Sequence, residues 1–470
     1  MMQSFPIIQS DLVKTKRTPF KITSTGFVIA VLAAWLAYIT PDSQGQIVLT
    51  PKKSDGLYQS DEKAIWTVKP ASDSTVTNAT YSVRKNGTTQ IQQGALDLSS
   101  GSATIEVGLD EPGELVLNVT APMQSETNSA TTSTNATENA ARGLGRGGRG
   151  QTRDGAIVDA SHLKPALPRP DDFDAWWEKK LAALDAIPAN PQLEQTNVDV
   201  AGIEYYKVTL DNINGTHVHG QLAKPAKEGK FPALLQLQYA GVYPLQCSWV
   251  TDRAKAGWLA LNVLAHDMPI DDQEEIRRLA RAGLNNYQAI GNTNRETSYF
   301  LRMYLGDCQA LKYLVGRPEW DGKTLVVMGD SMGGQQSFAT VGLMGEKLKV
   351  TAMIIHVPSG ADVGARTKGR TMAYPNWPNQ PEIIETARYF DSVNFAPRIK
   401  AAALVSVGLF DGTSPPTGVI SAFNLLRGPK ELLPLHSDHG GPGQQPRIVR
   451  RDEWLSALVK GEPAPVKSGL

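Results

Sequence analysis

The stretch "VVMGDSMGGQQSF", from Val326 to Phe338, joins a buried-strand pattern, a glycine turn and the start of a helix. In it, Gly329 and Gly333 flank Ser331 as a G-x-S-x-G motif. A strand that turns sharply into a helix leaves no room for side chains on either side of the serine, which explains the glycines. The helix start offers N–H groups and a positive dipole end to developing negative charge. The stretch therefore predicts a nucleophilic serine, and a glycine-rich loop that merely contains a serine is the alternative.

Apolar strand-like runs and helical segments alternate on both sides of this motif, over residues 161–470. The strand-like runs are "EYYKVTL", "HVHGQLAKP", "PALLQLQY", "WLALNVLA", "TLVVMG", "VTAMIIHV", "AAALVSVG" and "KELLPL". Continuous apolar strands between helices are typical of a parallel sheet that is buried on both faces. We therefore predict an α/β domain with a mostly parallel, doubly covered sheet.

A nucleophilic serine needs a histidine base, and the base needs an orienting acid. On such a sheet the acid and then the histidine follow the serine along the chain. Asp411 ends the strand pattern "AAALVSVGLFD", and carboxyl ends of strands are where these sheets keep their sites. His436 and His439 both follow the next strand pattern. We expect His439, in the loop before two glycines, to be the base and His436 to be a packed neighbour.

An oxyanion hole is expected after an earlier strand. Tyr239 follows the strand pattern "FPALLQLQ", so its backbone N–H can pair with that of Met332 to hold a tetrahedral oxyanion. The alternative for Tyr239 is an aromatic residue that only ends a strand.

Metal and disulfide chemistry have weaker signals. His217 and His219 share one face of a strand, but no third ligand lies nearby in sequence, so we expect structural histidines and no metal site. Cys247 and Cys308 are too few for a disulfide scaffold and are expected to pack. The chain has 47 basic and 47 acidic residues, which gives no indication of a nucleic-acid partner.

Three regions precede this domain. Basic residues followed by the uncharged run "GFVIAVLAAWLAYI" predict a signal peptide in 1–45, with an uncleaved membrane anchor as the alternative, and hence a secreted or periplasmic location. Short alternating segments with an Asn86-Gly87 turn predict a small all-β sandwich at 46–121. The Ser/Thr/Asn-rich and then Gly/Arg-rich composition of 122–160 predicts a disordered linker.

Several segments resemble a known family. They are "PDDFDAWWEKKL", "SYFLRMYLGDCQALKYLVGRPEWDGKTLVVMGDSMGGQQSF", "YFDSVNFAPRIKAAALVSVGLFDGTSPP" and "GPKELLPLHSDHGG". They are similar to the acetyl xylan esterase / cephalosporin-C deacetylase family, carbohydrate esterase family seven, over about residues 165–465. The resemblance implies an α/β-hydrolase that removes acetyl groups from xylan, xylo-oligosaccharides or similar esters without a cofactor. It places the nucleophile on Ser331, the acid on Asp411, the base on His439 and the oxyanion tyrosine on Tyr239.

The sequence departs from the family at two positions. The R-G-Q motif expected after "WLALNVLA" is replaced by the four residues 266–269, "HDMP", and Met332 stands where the family has Gln. The R-G-Q loop supports the active site and the assembly of family members, so the oligomeric state stays open. A peptidase or other acyl hydrolase on the same fold is one alternative function. A non-catalytic carbohydrate-binding surface protein is another.

Overall fold

The computed structural model of the protein describes residues 46–122 and 150–467. The predicted signal segment and residues 123–149 of the predicted linker lie outside the described residues. The two described ranges belong to one compact unit. Among their helices, none is both long and apolar enough to cross a membrane.

The N-terminal part of the described chain is a β-sandwich. Its strands are β1 (Ile47–Pro51), β2 (Leu57–Tyr58), β3 (Ala64–Pro70), β4 (Asn78–Lys85), β5 (Thr89–Asp97), β6 (Ala103–Val107), β7 (Gly113–Thr120) and β8 (Gln151–Val158). They form one sheet of order β1-β3-β6 and a second of order β2-β8-β7-β4-β5. Trp66 of β3 and Leu117 of β7 bring the two sheets together in one apolar core. The predicted turn at Asn86-Gly87 joins β4 to β5, with positive φ angles of 55° and 71°.

The end of the predicted linker is wrong, because β8 is part of the sandwich. This strand pairs antiparallel with β7 along its whole length. Its last five residues, Asp154–Val158, are buried. The apolar run "AIV" is too short to predict a strand beside the Gly/Arg-rich segment before it. The sandwich therefore extends to residue 158 and ends directly before the α/β domain.

The α/β domain is built on one large sheet. Its strands are β9 (Gln192–Gln195), β10 (Ile203–Asp211), β11 (His217–Pro225), β12 (Phe231–Leu237), β13 (Leu259–Val263), β14 (Trp320–Asp330), β15 (Ala352–His356), β16 (Ala402–Gly408) and β17 (Lys430–Leu435). Their order is β17-β16-β15-β14-β12-β13-β11-β10-β9. The six strands from β17 to β13 in this order are parallel, and β11, β10 and β9 add antiparallel pairs at one edge.

Helices cover both faces of this sheet. They are α1 (Phe173–Asp185), α2 (Ser248–Lys255), α3 (Gln273–Arg281), α4 (Tyr299–Val315), α5 (Met332–Met344), α6 (Pro381–Ala387), α7 (Ser392–Phe395), α8 (Pro416–Leu425) and α9 (Gln445–Leu458). Leu235 and Val327 join the core formed with α1, α4, α5 and α8. Their chain neighbours Leu234 and Val326 point to the opposite face and pack with α2 and α9. The predicted doubly covered sheet is confirmed.

Candidate active site

Ser331 lies on a strained turn between β14 and α5. Its φ and ψ are 55° and −119°, in a region that side-chain-bearing residues rarely occupy. A Cβ atom on Gly329 would overlap the backbone of Gly333, and one on Gly333 would overlap the carbonyl oxygen of Leu237. Only glycine fits at either position. The two glycines predicted from the motif therefore allow the close approach that this turn requires.

The structure brings Ser331, His439 and Asp411 together. Oγ of Ser331 lies 2.9 Å from Nε2 of His439, and Nδ1 of His439 lies 2.8 Å from Oδ2 of Asp411. The other carboxylate oxygen of Asp411 accepts the backbone N–H groups of Thr413 at 2.7 Å and Ser414 at 2.8 Å. Asp411 follows β16 and His439 follows β17, as the sequence predicts. Three loops at the carboxyl ends of the parallel strands β14, β16 and β17 thus form one continuous set of hydrogen bonds.

The charges around His439 favour its role as a proton acceptor. Burial lowers the pKa of this imidazole, but the hydrogen bond and charge of Asp411, together with the charges of Asp438 and Asp330, raise it by more. The net pKa of His439 therefore lies above its ordinary value. With Nδ1–H donated to Asp411, the neutral ring presents the Nε2 lone pair to Ser331.

His436 is not part of this chain of hydrogen bonds. Its Nδ1 lies 2.6 Å from Oδ1 of Asp154, and its Nε2 lies 3.1 Å from the carbonyl oxygen of Ser54. Asp154 is buried on β8 and also accepts the indole N–H of Trp66 at 3.0 Å. His436 therefore joins the sandwich to the loop that carries His439, as a packed residue.

The segment around Tyr239 lies against the serine turn. A Cβ atom on Gly333 would meet the carbonyl oxygens of Leu237 and Gln238, so the residues just before Tyr239 contact the start of α5. Nε2 of Gln336, which is on α5, donates to the carbonyl oxygen of Gln238 at 2.7 Å. The side chain of Tyr239 is 44% exposed and stacks on Tyr243 with ring centroids 4.7 Å apart.

Met332 is buried beside the serine, with its sulfur 3.1 Å from the hydroxyl of Tyr287. Tyr239 and Met332, the two residues predicted to form the oxyanion hole, thus lie on adjoining segments. Met332 is the first residue of α5, where backbone N–H groups are free of intrahelical partners.

His266 occupies the region where the family motif is missing. It is fully buried; its Nδ1 lies 2.9 Å from the hydroxyl of Tyr299 and its Nε2 lies 3.1 Å from the carbonyl oxygen of Gly241. Burial lowers the pKa of His266 to about 4, so the ring is neutral near pH 7. A neutral imidazole can donate one hydrogen bond and accept the other. His266 therefore supports the segment that follows Tyr239.

A cavity of about 700 Å³ opens beside the serine turn, between α2 and α9. Its lining includes Tyr239, Trp249 and Asp330, the residue before Ser331, but neither Ser331 nor His439. The partly exposed ring of Tyr239 contacts both Tyr243 and Trp249. Aromatic surface thus lies next to the serine turn.

His217 and His219 lie beside an acidic side chain from a distant segment of the chain. The sequence offered no third ligand nearby, but the structure brings Asp267 to them from the loop after β13, with Oδ1 of Asp267 2.9 Å from Nε2 of His219. The two residues belong to different strand ends, 48 positions apart, so sequence spacing could not reveal the contact. Cys247 and Cys308 are both free, and Cys308 is buried in α4.

The serine turn, the acid–histidine pair and the doubly covered sheet define an α/β-hydrolase. The family model described as acetyl xylan esterase (AXE1) matches residues 157–363 and 370–450. The chain belongs to this family, and it is a carboxylic ester hydrolase.

Known relatives agree with this placement. The chain is 27% identical over 423 residues to the acetyl esterase Axe7A of Xylanibacter ruminicola, covering 87% of this chain and 90% of the relative. The solved acetyl xylan esterase from Paenibacillus sp. R4 aligns with a TM-score of 0.53 and 24% identity, over 63% of this chain and 98% of its own. Acetyl xylan esterase 1 from Thermoanaerobacterium sp. JW/SL YS485 aligns with a TM-score of 0.52 and 20% identity, over 64% of this chain and 97% of its own. Both solved structures share the fold of the α/β domain.

Proposed function

We propose that the protein removes acetyl groups from acetylated carbohydrate, such as xylan or xylo-oligosaccharides, through a covalent acyl-enzyme. The observation that carries the proposal is the chain of hydrogen bonds from Ser331 to His439 and from His439 to Asp411, at 2.9 Å and 2.8 Å. Membership of the acetyl xylan esterase family supports the choice of an acetyl ester. No metal or organic cofactor takes part in this scheme.

The first half-reaction transfers the acetyl group to the enzyme. Oγ of Ser331 attacks the ester carbonyl carbon while Nε2 of His439 takes the hydroxyl proton. The N–H groups of Met332 and Tyr239 hold the negative oxygen of the tetrahedral intermediate. The carbon–oxygen bond to the sugar then breaks, and His439 gives its proton to the leaving sugar oxygen.

The second half-reaction releases acetate. His439 takes a proton from a water molecule, whose oxygen attacks the acetyl carbon bound to Ser331. The second tetrahedral intermediate collapses, and the proton on His439 returns to Oγ of Ser331. Asp411 keeps the imidazole in one tautomer and stabilises its charged form throughout. The exposed ring of Tyr239 offers an apolar face to the sugar beside the serine.

One assay tests the chemistry. The wild type should hydrolyse p-nitrophenyl acetate, and Ser331→Ala should lose roughly three to six orders of magnitude of kcat. His439→Gln should lose far more activity than His436→Gln, which serves as the matched histidine control. Equal activity of wild type and Ser331→Ala would refute the serine mechanism, and a larger loss at His436 would refute the choice of base.

A substrate panel separates the alternatives. Release of acetate from acetylated xylan, compared with the acetyl group of cephalosporin C, tests which acetyl ester is preferred. Hydrolysis of peptide substrates at higher kcat/KM than acetyl esters would favour a peptidase, since this fold does not fix the substrate. Binding of xylan without any hydrolysis would favour a non-catalytic carbohydrate-binding protein.

The location of this activity is also a proposal. Basic residues before the apolar run at 26–39 support export of the catalytic domain, either with a cleaved signal peptide or with the run retained as an anchor. A polymeric substrate such as xylan lies outside the cell, which agrees with export. N-terminal sequencing of the protein from culture medium and from membranes distinguishes cleavage from anchoring.

A further inference from the structure

Three metal-ligating side chains that the proposed chemistry does not use face one another at the edge of the large sheet. His217 and His219 lie on β11, two residues apart, and therefore on the same face of the strand. Asp267 reaches them from the segment after β13. One ligand atom from each residue lies within 4.8 Å of the others.

Two of the distances between ligand atoms are close to those found around a bound metal ion. Oδ1 of Asp267 lies 2.9 Å from Nε2 of His219 and 3.7 Å from Nδ1 of His217. Ligand bonds of about 2.0–2.1 Å in a tetrahedral zinc site place neighbouring ligand atoms roughly 3.3 Å apart. Small side-chain rotations would therefore bring all three atoms to one ion.

The partners of these side chains hold them in ligating orientations. Thr209 is directly opposite His219 on β10, and its Oγ1 lies 3.3 Å from Nδ1 of that histidine, which leaves Nε2 for a metal. The second oxygen of Asp267 accepts the backbone N–H of His217 at 2.9 Å, which leaves Oδ1 for the same ion. Hydrogen bonds of this kind fix the tautomer and direction of ligands in metal sites.

Both negative and positive side chains lie near the three candidate ligands. Asp211 pairs with His217 across the two strands, and its carboxylate lies 3.9 Å from Nε2 of that histidine. The guanidinium of Arg302 is also nearby, and it donates to the carbonyl oxygens of His217 at 3.3 Å and Ala265 at 2.6 Å. Two carboxylates against one guanidinium leave the cluster favourable to a cation.

We propose that His217, His219 and Asp267 form a binding site for a divalent transition-metal ion, of which Zn²⁺ is the best match. Two imidazoles and one carboxylate suit zinc, whereas magnesium and calcium prefer oxygen ligands. The side chain of His217 is 45% exposed, so the fourth position is open to water.

The ion would have a structural effect. It would join β11 to the segment after β13, where His266, the neighbour of Asp267, holds the carbonyl oxygen of Gly241 at 3.1 Å. The metal site would thus stabilise the segment that supports Tyr239, while remaining outside the hydrolytic chemistry.

The test is a zinc titration of tag-free protein that has been dialysed against a chelator. Isothermal titration calorimetry of the wild type should give one equivalent of Zn²⁺, and saturating Zn²⁺ should raise the Tm by several degrees because the ion binds only the folded state. His219→Gln and Asp267→Asn should each weaken binding at least about tenfold. His162→Gln, which changes an exposed histidine outside the cluster, should bind as the wild type does.

Thr209→Val provides a milder variant, because it keeps all three ligands and removes only the partner of His219 Nδ1. It should weaken binding by less than either ligand change, and it keeps the test valid if a ligand variant does not fold. The proposal is overturned if the wild type binds no stoichiometric zinc, or if the ligand variants bind zinc as tightly as the wild type. Hydrolysis of p-nitrophenyl acetate is measured separately. If the esterase proposal fails in that assay, the outcome of the zinc titration is unaffected.

Discussion

Arg153 of the β-sandwich forms a salt bridge with Asp438, the residue before His439. Nη1 of Arg153 lies 3.0 Å from Oδ2 of Asp438, and Nη2 donates to the carbonyl oxygen of Phe410, the residue before Asp411, at 3.3 Å. Oδ1 of Asp438 in turn accepts the backbone N–H of His439 at 2.8 Å. One side chain from the sandwich therefore holds both loops that carry the proposed acid and base.

Replacing Arg153 by Gln should reduce kcat about tenfold or more, because small displacements of catalytic groups are costly. The KM should change little, since Arg153 is not in contact with the proposed oxyanion hole. Arg153→Lys should restore only part of kcat, because an ammonium group lacks the guanidinium fork that reaches both loops. Steady-state kinetics with p-nitrophenyl acetate measure these effects.

Arg84→Gln is the matched control for this prediction. Arg84 lies exposed on β4 of the same sandwich and donates to the carbonyl oxygen of Thr88. Its replacement should leave both kcat and KM unchanged. If Arg153→Gln lowers the Tm but retains full kcat at a temperature where it is folded, Arg153 is a stabilising residue and not a positioning one.

Gln336 should orient the backbone N–H of Tyr239, one of the two donors of the proposed oxyanion hole. The peptide between Gln238 and Tyr239 is trans and planar, so the N–H points away from the carbonyl oxygen that Gln336 holds. We expect Gln336→Met to lower kcat about 10- to 100-fold, which is less than the loss of a whole oxyanion donor. The KM should stay close to the wild-type value, because the interaction gains strength only in the transition state.

Gln309→Met is a close control for Gln336→Met. Both glutamines are buried, each donates from Nε2 to backbone carbonyl oxygens, and the Oε1 of each accepts no hydrogen bond from the described residues. The two variants should therefore lose similar stability in thermal unfolding. A comparable fall of kcat in both would contradict the specific role of Gln336.

The pH profile should report the environment of His439. Only the neutral imidazole can accept the proton of Ser331, so kcat/KM should rise with pH through the pKa of His439. Because that pKa is raised, the midpoint of the acid limb should lie above the ordinary histidine value of about 6.5. Asp411→Asn removes the group that raises it and should move the midpoint to lower pH, with a fall in kcat of about 10⁴. An unmoved midpoint in Asp411→Asn would contradict this interpretation.

The fold and the proximity of Ser331, His439 and Asp411 can be predicted from the sequence for one physical reason. Parallel strands buried on both faces appear as continuous apolar runs, and the residues that follow them must lie at one edge of the sheet. Ser331, Asp411 and His439 each follow such a run, so their proximity could be predicted. Strand β8 has only a short apolar run after a Gly/Arg-rich stretch, so its composition predicts a linker.

The supporting residues were not predictable in the same way. Arg153 and Asp438 are 285 positions apart, and Gln336 and Gln238 are 98 apart. Nothing in the local pattern of either glutamine or of the arginine distinguishes it from a solvated or packed side chain. Even with the missing family motif noted, the contact of His266 with Gly241 depends on how two loops fold over each other. Such contacts need the three-dimensional structure.

Glu114 should make the stability of the sandwich depend on pH in the alkaline direction. This side chain is 2% exposed on β7, and burial, assisted by the charge of Asp411, raises its pKa to about 8. The unfolded chain has a pKa near 4.3, so only the folded protein holds this proton between about pH 4.3 and 8. Stability from this group is therefore lost as the pH rises towards 8.

Glu114→Gln cannot lose a proton, so its Tm relative to the wild type should increase from pH 5 to pH 8 and then level off. Glu106→Gln, at an exposed position of β6, should show no such trend. A pH-independent difference for Glu114→Gln would show that Glu114 is already charged in the folded protein.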